Sequence, residues 1–178
     1  MENAQGAVII RPENKADFDA VRKLNKKAFK GKNESMLVDA LRQSDGFIPA
    51  LSLVAEKDGK VAGHILFSPI EIQGPDKVTA ALALAPMAVL PEYQNQGIGT
   101  ALVKHGLAES GKLGHKIVVV VGHPEYYPRF GFVKAGEKGL KLPFECQDDV
   151  FMVLELVPGA LNGVNGEVVY PREFHAVT

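Results

Sequence analysis

Two rhythms of apolar residues alternate along this chain, and the switch from one to the other marks its elements. Val8, Ile9 and Ile10 form a short apolar run that stops at Pro12, the pattern of a strand ended where the backbone loses its donor. Phe18, Val21, Leu24 and Ala28 then fall at helical spacing, with Asn14 or Asp17 placed to cap the helix. Met36, Leu37, Ala40 and Leu41 repeat that spacing behind Asn33-Glu34, and Arg42 near the end suits the negative end of the helix dipole. The two helices are expected to cover one face of a sheet.

Leu51 to Glu56 and Lys60 to Ile72 flank Lys57-Asp58-Gly59, which predicts an antiparallel hairpin. Thr79 to Val89 is apolar but holds Pro86, which cannot donate to a ladder, so the strand is expected to bulge and splay there. A helix from Gly97 to about Gly111 carries Ile98, Ala101, Leu102, Leu107 and Ala108, and Lys116 to Val121 reads as a buried parallel strand; together they predict a right-handed βαβ unit. Lys134 to Lys141 reads as a loop, Val150 to Val157 as a strand, and Gly163, Asn165 and Gly166 punctuate a tail through Val168-Val169-Tyr170. Met1 to Gly6 reads as disordered. With no internal repeat or linker, one domain over residues 1–178 is expected.

Composition narrows the field. Hydrophobic residues make up 46% and charged residues 23%, a globular profile. The 20 Lys+Arg against 21 Asp+Glu leave a net charge of −1, so no global basic field draws nucleic acid or an anionic membrane. Cys146 is the single cysteine and no secretory leader pattern opens the chain, which predicts a cytoplasmic protein. The run from Ile117 to Val121 is far too short to span a bilayer. His105 and His115 lack a cysteine or paired carboxylate at ligand spacing, so no metal is expected.

The chemistry concentrates between Leu84 and Leu102. An apolar strand runs through Pro91-Glu92-Tyr93 into a glycine-bearing turn and then a helix, so unpaired N–H groups and the positive end of a macrodipole meet at one point, a cradle for phosphate. A dinucleotide fingerprint requires a third glycine and a later acid, and a nucleotide P-loop requires lysine after its last glycine; Thr100-Ala101-Leu102 supplies neither.

Gln94-Asn95-Gln96-Gly97-Ile98-Gly99 resembles the acetyl-CoA signature of the GNAT superfamily of N-acetyltransferases, Arg/Gln-x-x-Gly-x-Gly/Ala. The flanks agree, with Leu84-Ala85-Pro86-Met87-Ala88-Val89 before it and Tyr127-Pro128-Arg129-Phe130-Gly131-Phe132 matching the family's Tyr-x-x-x-Gly-Phe. The resemblance implies an α/β fold: a twisted mixed sheet with a parallel βαβ core and a V-shaped split, helices on both faces, and acetyl-CoA lying in the split. By the same resemblance, backbone groups of Met87, Ala88 and Val89 follow the pantetheine amides, and Gln94, Asn95, Gln96, Gly97, Ile98, Gly99 and Thr100 surround the pyrophosphate.

What the resemblance implies chemically is transfer of the acetyl group to a primary amine, small-molecule or peptide, by direct attack. Such an amine has a pKa of about 10 and must lose a proton first, while the departing thiolate gains from a donor. Tyr127 holds the family's tyrosine position and is the candidate acid, with Tyr126 as its rival. The glutamate that some members carry on the strand has no counterpart between Thr79 and Val89, leaving His123, Glu125 and His64 as candidate bases. Glu34 is a possible neighbour of the acceptor cleft but reads as a carboxylate satisfied by a helix start, Cys146 reads as inert, and the family's frequent asparagine is Val120 here. A homodimer is common among such proteins. The rival expectations are an acyl-CoA sensor without turnover and a nucleotide-binding protein using the same helix start.

Overall fold

The computed structural model describes residues 6–177, so that Met1 to Gln5, most of the segment expected to be disordered, lie outside the described residues. Strand β1 (Ile9–Pro12) runs into a 3₁₀ turn at Lys15–Asp17, capped by Asn14 rather than Asp17. The Asn14 side chain accepts from the Ala16 N–H at 2.9 Å, and the Asp17 carboxylate accepts from the Asn14 N–H at 2.8 Å. Helices α1 (Phe18–Phe29) and α2 (Asn33–Arg42) follow.

Strands β2 (Ser52–Lys57) and β3 (Lys60–Gln73) form the expected hairpin, with Asp58 (φ 53°) and Gly59 (φ 75°) as the two central turn residues. Next come β4 (Val78–Val89), α3 (Ile98–Lys112) and β5 (Ile117–Val121). The segment expected to be a loop instead holds two-residue strands at its ends, β6 (Val133–Lys134) and β7 (Leu140–Lys141). Both are too short to show a period of their own; each forms because a longer neighbour, β8 (Phe151–Glu155) or β9 (Gly166–Val169), offers a free edge.

The sheet order is β1-β2-β3-β4-β5-β8-β6, with β9 pairing both β3 and β7. Pairing is parallel between β4 and β5 and between β7 and β9, and antiparallel elsewhere. Alternation along β2 sorts the two faces: Leu53 and Ala55 join Ile98, Leu102 and Val103 of α3, while Val54 joins Val21, Leu37 and Leu41 of α1 and α2. Helices thus cover both faces. Gly106 lets α3 press onto β3, since a Cβ there would overlap the Phe67 ring.

Two consequences of this topology position the site. Pairing between β4 and β5 covers Leu82↔Val118 and Ala83↔Val119, beyond which the strands part. On the other edge of β4, Leu84 pairs with Phe67 and Met87 with Ile65, so Ala85 and Pro86 together face Leu66 as a β-bulge. Splaying at Pro86, expected from its missing donor, is what the sheet shows.

Candidate active site

The parting of β4 from β5 opens a cleft of about 900 Å³, in the size range of small-molecule sites. One wall is the free edge of β4. Because the Leu90 N–H donates to the Ala62 carbonyl at 2.8 Å, antiparallel alternation makes His64 and Ala88 the next hydrogen-bonded pair. Ala88 therefore spends its N–H and C=O on β3, whereas those of Met87 and Val89 face the cleft. The Val89 carbonyl already accepts from the Gln94 side chain at 3.1 Å.

The floor at one end is the start of α3. Asn95 (φ 61°) and Gly97 (φ 83°) take left-handed backbone angles, which turn the loop and aim successive N–H groups inward. No side chain caps α3, and the N–H groups of Gly97, Ile98, Gly99 and Thr100 have no intrahelical acceptor. Gln96 braces this loop from outside: its amide donates to the Glu92 carbonyl at 3.2 Å and accepts from Lys57 Nζ at 2.8 Å. Its side chain stands away from the cleft.

The opposite wall follows β5. Gly122 and His123 leave the strand end, and the Tyr126 hydroxyl reaches across to Thr100 Oγ1 at 3.5 Å. Arg129 lies over the Tyr126 ring at 4.4 Å and donates to the Tyr126 carbonyl at 2.9 Å; it is the one arginine or lysine among the described lining residues. Tyr127 is buried deeper, edge-on to Tyr126 and Phe132 with ring centroids 5.1 and 5.7 Å away. Burial first, and then the neighbouring Tyr126, push its phenol well above the ordinary tyrosine value, so it stays protonated.

From the helical side, Ala28, Phe29, Glu34 and Leu37 line the other end. Glu34 is the one carboxylate among the described residues that line the cleft. Its position at the start of α2 suits the dipole, yet that does not keep it out of the site.

His64 does not reach the cleft. It is fully buried, and its Nε2 lies 2.9 Å from Ser52 Oγ. Ser52 donates to Glu13 at 2.7 Å, so the hydroxyl is left to accept from Nε2–H, and Nδ1 is a bare acceptor with no partner among the described residues. Burial outweighs the nearby Glu13 carboxylate and pushes the imidazole down to about 4. As pH falls below about 6.5 an unfolded chain takes up a proton that the folded chain refuses until about 4, so stability is lost across that window and level above it. At about 1.4 kcal/mol per pH unit the loss is on the order of 3 kcal/mol. Urea unfolding at pH 7 and pH 4.5 should show a shallower pH dependence in His64→Gln than in wild type; equal dependence would remove His64 as its source.

The family profile described as "Acetyltransferase (GNAT) domain" matches residues 9–135, well over half the chain. The chain belongs to the GNAT acetyltransferases. This GNAT chain is 37% identical over 169 residues to the uncharacterized N-acetyltransferase YhbS of Escherichia coli K12, covering 94% of itself and 99% of the relative. The crystal structure of Escherichia coli YhbS in complex with CoA superposes with a TM-score of 0.89 at 34% identity, over 98% of this chain and 95% of that one. A GNAT acetyltransferase from Brucella melitensis in complex with acetyl-CoA gives 0.77 at 34% identity, over 95% and 99%.

Of the residues expected at the GNAT site, Met87, Ala88, Val89, Gln94, Asn95, Gly97, Ile98, Gly99, Thr100, His123 and Tyr127 line one cleft. Gln96 and Glu125 are not among the lining residues. Arg129 and Glu34 carry no motif signal of their own; both enter by topology, Arg129 two residues past Tyr127 in the aromatic turn and Glu34 one residue into α2.

Proposed function

We propose that this GNAT acetyltransferase moves an acetyl group from acetyl-CoA to a primary amine by direct attack, with no covalent acyl-enzyme. One juxtaposition carries the reading: the free β4 edge, offering Met87 and Val89 amides, ends at the uncapped start of α3. An extended amide-bearing arm followed by a diphosphate matches that sequence of donors, first the strand edge and then the cradle. Acetyl-CoA supplies an activated thioester in place of any acylated side chain.

Each residue's task follows from its place. Gly97 to Thr100 hold diphosphate oxygens through main-chain N–H groups, and Arg129 adds positive charge beside them. Tyr127, kept protonated by burial, donates a hydrogen bond to the sulfur as negative charge develops there. Made a weaker acid than a thiol by burial, it serves as this donor rather than surrendering its proton outright. His123, exposed at the end of β5, takes the ammonium proton directly or through water. Glu125, outside the cleft, has no part in this scheme.

We take the chain as one cytoplasmic domain: the nine-stranded sheet is continuous, and the single cysteine is free and exposed. Among the described residues no helix is long and apolar enough to cross a membrane.

Gly99 gives the test. A Cβ there would stand 2.9 Å from the Tyr126 hydroxyl and 3.5 Å from the Met87 side chain, at the floor of the cradle. Gly99→Val is expected to weaken CoA binding by calorimetry roughly tenfold to a hundredfold, the value of one or two charge-assisted hydrogen bonds. Wild type should bind CoA and release free thiol from acetyl-CoA when an amine is supplied. No CoA association, or no thiol release with any amine, would overturn the proposal.

A further inference from the structure

We infer that the amine acceptor is carried on an acidic polypeptide segment, which a lysine collar at the mouth of the cleft recognises while Glu34 receives the ammonium. The inference rests on the acetyltransferase reading and names its substrate class. A chain of net charge −1 packs six cations and no acid into residues 20–33: Arg22, Lys23, Lys26, Lys27, Lys30 and Lys32. Arg22 is committed to Asp19 at 2.7 Å and Asp39 at 2.8 Å. The five lysines are exposed, and among the described residues none has an ion pair.

Position distinguishes this cluster from an ordinary solvated helix face. Phe29 lines the cleft although it is 40% exposed, so the rim itself is apolar. Lys26 stands one turn before Phe29, Lys30 directly after it at the end of α1, and Lys32 two residues before Glu34. A chain leaving the cleft past Phe29 meets these three first, and Lys23 and Lys27 further along the helix. From Lys23 to Lys30 the helix rises about 10 Å. That matches about three residues of extended peptide and exceeds the reach of one carboxylate or phosphate.

At the α1–α2 end of the cleft the sign reverses, Arg129 belonging to the wall that follows β5. Glu34 is the carboxylate among the described lining residues and has no ion pair among them, so an ammonium entering from this end finds its counter-charge there. The pattern of one negative site inside and a positive rim outside selects a positive amine flanked by acids. Because exposed pairs are individually weak and screened by salt, selection depends on several acting together.

The experiment compares peptides of equal length that bear a single free amine flanked by acidic, neutral or basic residues, in wild type and in the triple variant Lys26→Glu, Lys30→Glu, Lys32→Glu. Wild type is expected to favour the acidic peptide roughly tenfold in kcat/KM, mostly through KM, and to lose the preference in high salt. The triple variant is expected to abolish or invert that order while binding CoA unchanged by calorimetry. Equal use of all three peptides, or equal use of a small aminoalkyl phosphate and the acidic peptide, overturns the inference and leaves the acetyltransferase reading standing. Failure of every amine to release thiol overturns that reading itself, and the inference with it.

Discussion

Tyr127→Phe is expected to lower kcat about 10²- to 10³-fold with CoA affinity unchanged, as removal of a preorganised donor to developing charge does. Phenylalanine preserves the ring that packs on Tyr126 and Phe132, so the core is undisturbed and only the hydroxyl is lost. The effect should fall on kcat and kcat/KM alike, because the donor acts where sulfur charge builds up and not in substrate binding. Tyr126→Phe supplies the contrast. Its hydroxyl faces Thr100 at the start of α3, so its loss should alter CoA affinity more than turnover. Steady-state thiol release, read beside calorimetry, decides the assignment. If Tyr127→Phe turns over like wild type while Tyr126→Phe does not, the two tyrosines exchange roles; if neither matters and CoA still binds, a sensor without turnover becomes the better reading.

The second large effect is structural. Arg42 and Glu13 have side chains 6% and 2% exposed and share two hydrogen bonds of 2.7 and 2.9 Å. Arg42 also reaches Asp39 at 2.8 Å and lies over Phe18 at 3.9 Å. Arg42→Ala strands Glu13 in the interior with Ser52 as its remaining donor, which is expected to cost about 3–5 kcal/mol of a total stability of about 5–15 kcal/mol. Lysine is not a substitute, since it lacks the fork that engages both carboxylate oxygens. Pairing Arg42→Met with Glu13→Gln should recover much of the loss, because the penalty comes from the stranded charge rather than from a missing attraction. Urea unfolding of the single and double variants tests this; a single variant within about 1 kcal/mol of wild type would show that water reaches Glu13.

Much of this was legible from residues alone, and the reasons are specific. Asp58-Gly59, Pro86 and Gly97-Ile98-Gly99 each impose a backbone event that side-chain context cannot override, and hairpin, bulge and cradle all stand where those residues put them. The strands β6 and β7 were not legible, because two residues hold no period and their pairing is decided by distant partners. The choice among candidate bases was equally out of reach. His64 and His123 both follow or sit on strands, and what separates them is that β3 points one into a packed interior while β5 ends and releases the other. Glu34 is a different case: the sequence places it as a possible neighbour of the acceptor cleft, its local explanation at a helix start competes with that, and the fold brings the helix start to the cleft.

The two residues set against Leu66 have one more effect. Strand pairing keeps count: two residues stand where one would, so pairing with β3 resumes in step at Met87 while β4 itself bends. Removing Ala85 or Pro86 would leave Met87 opposite Ile65 and Ala88 opposite His64, and would take away the local bend and added twist that turn the end of β4 from β5. The wedge between the two parallel strands is therefore tied to one surplus residue, whose loss would straighten the edge without changing which amides it offers.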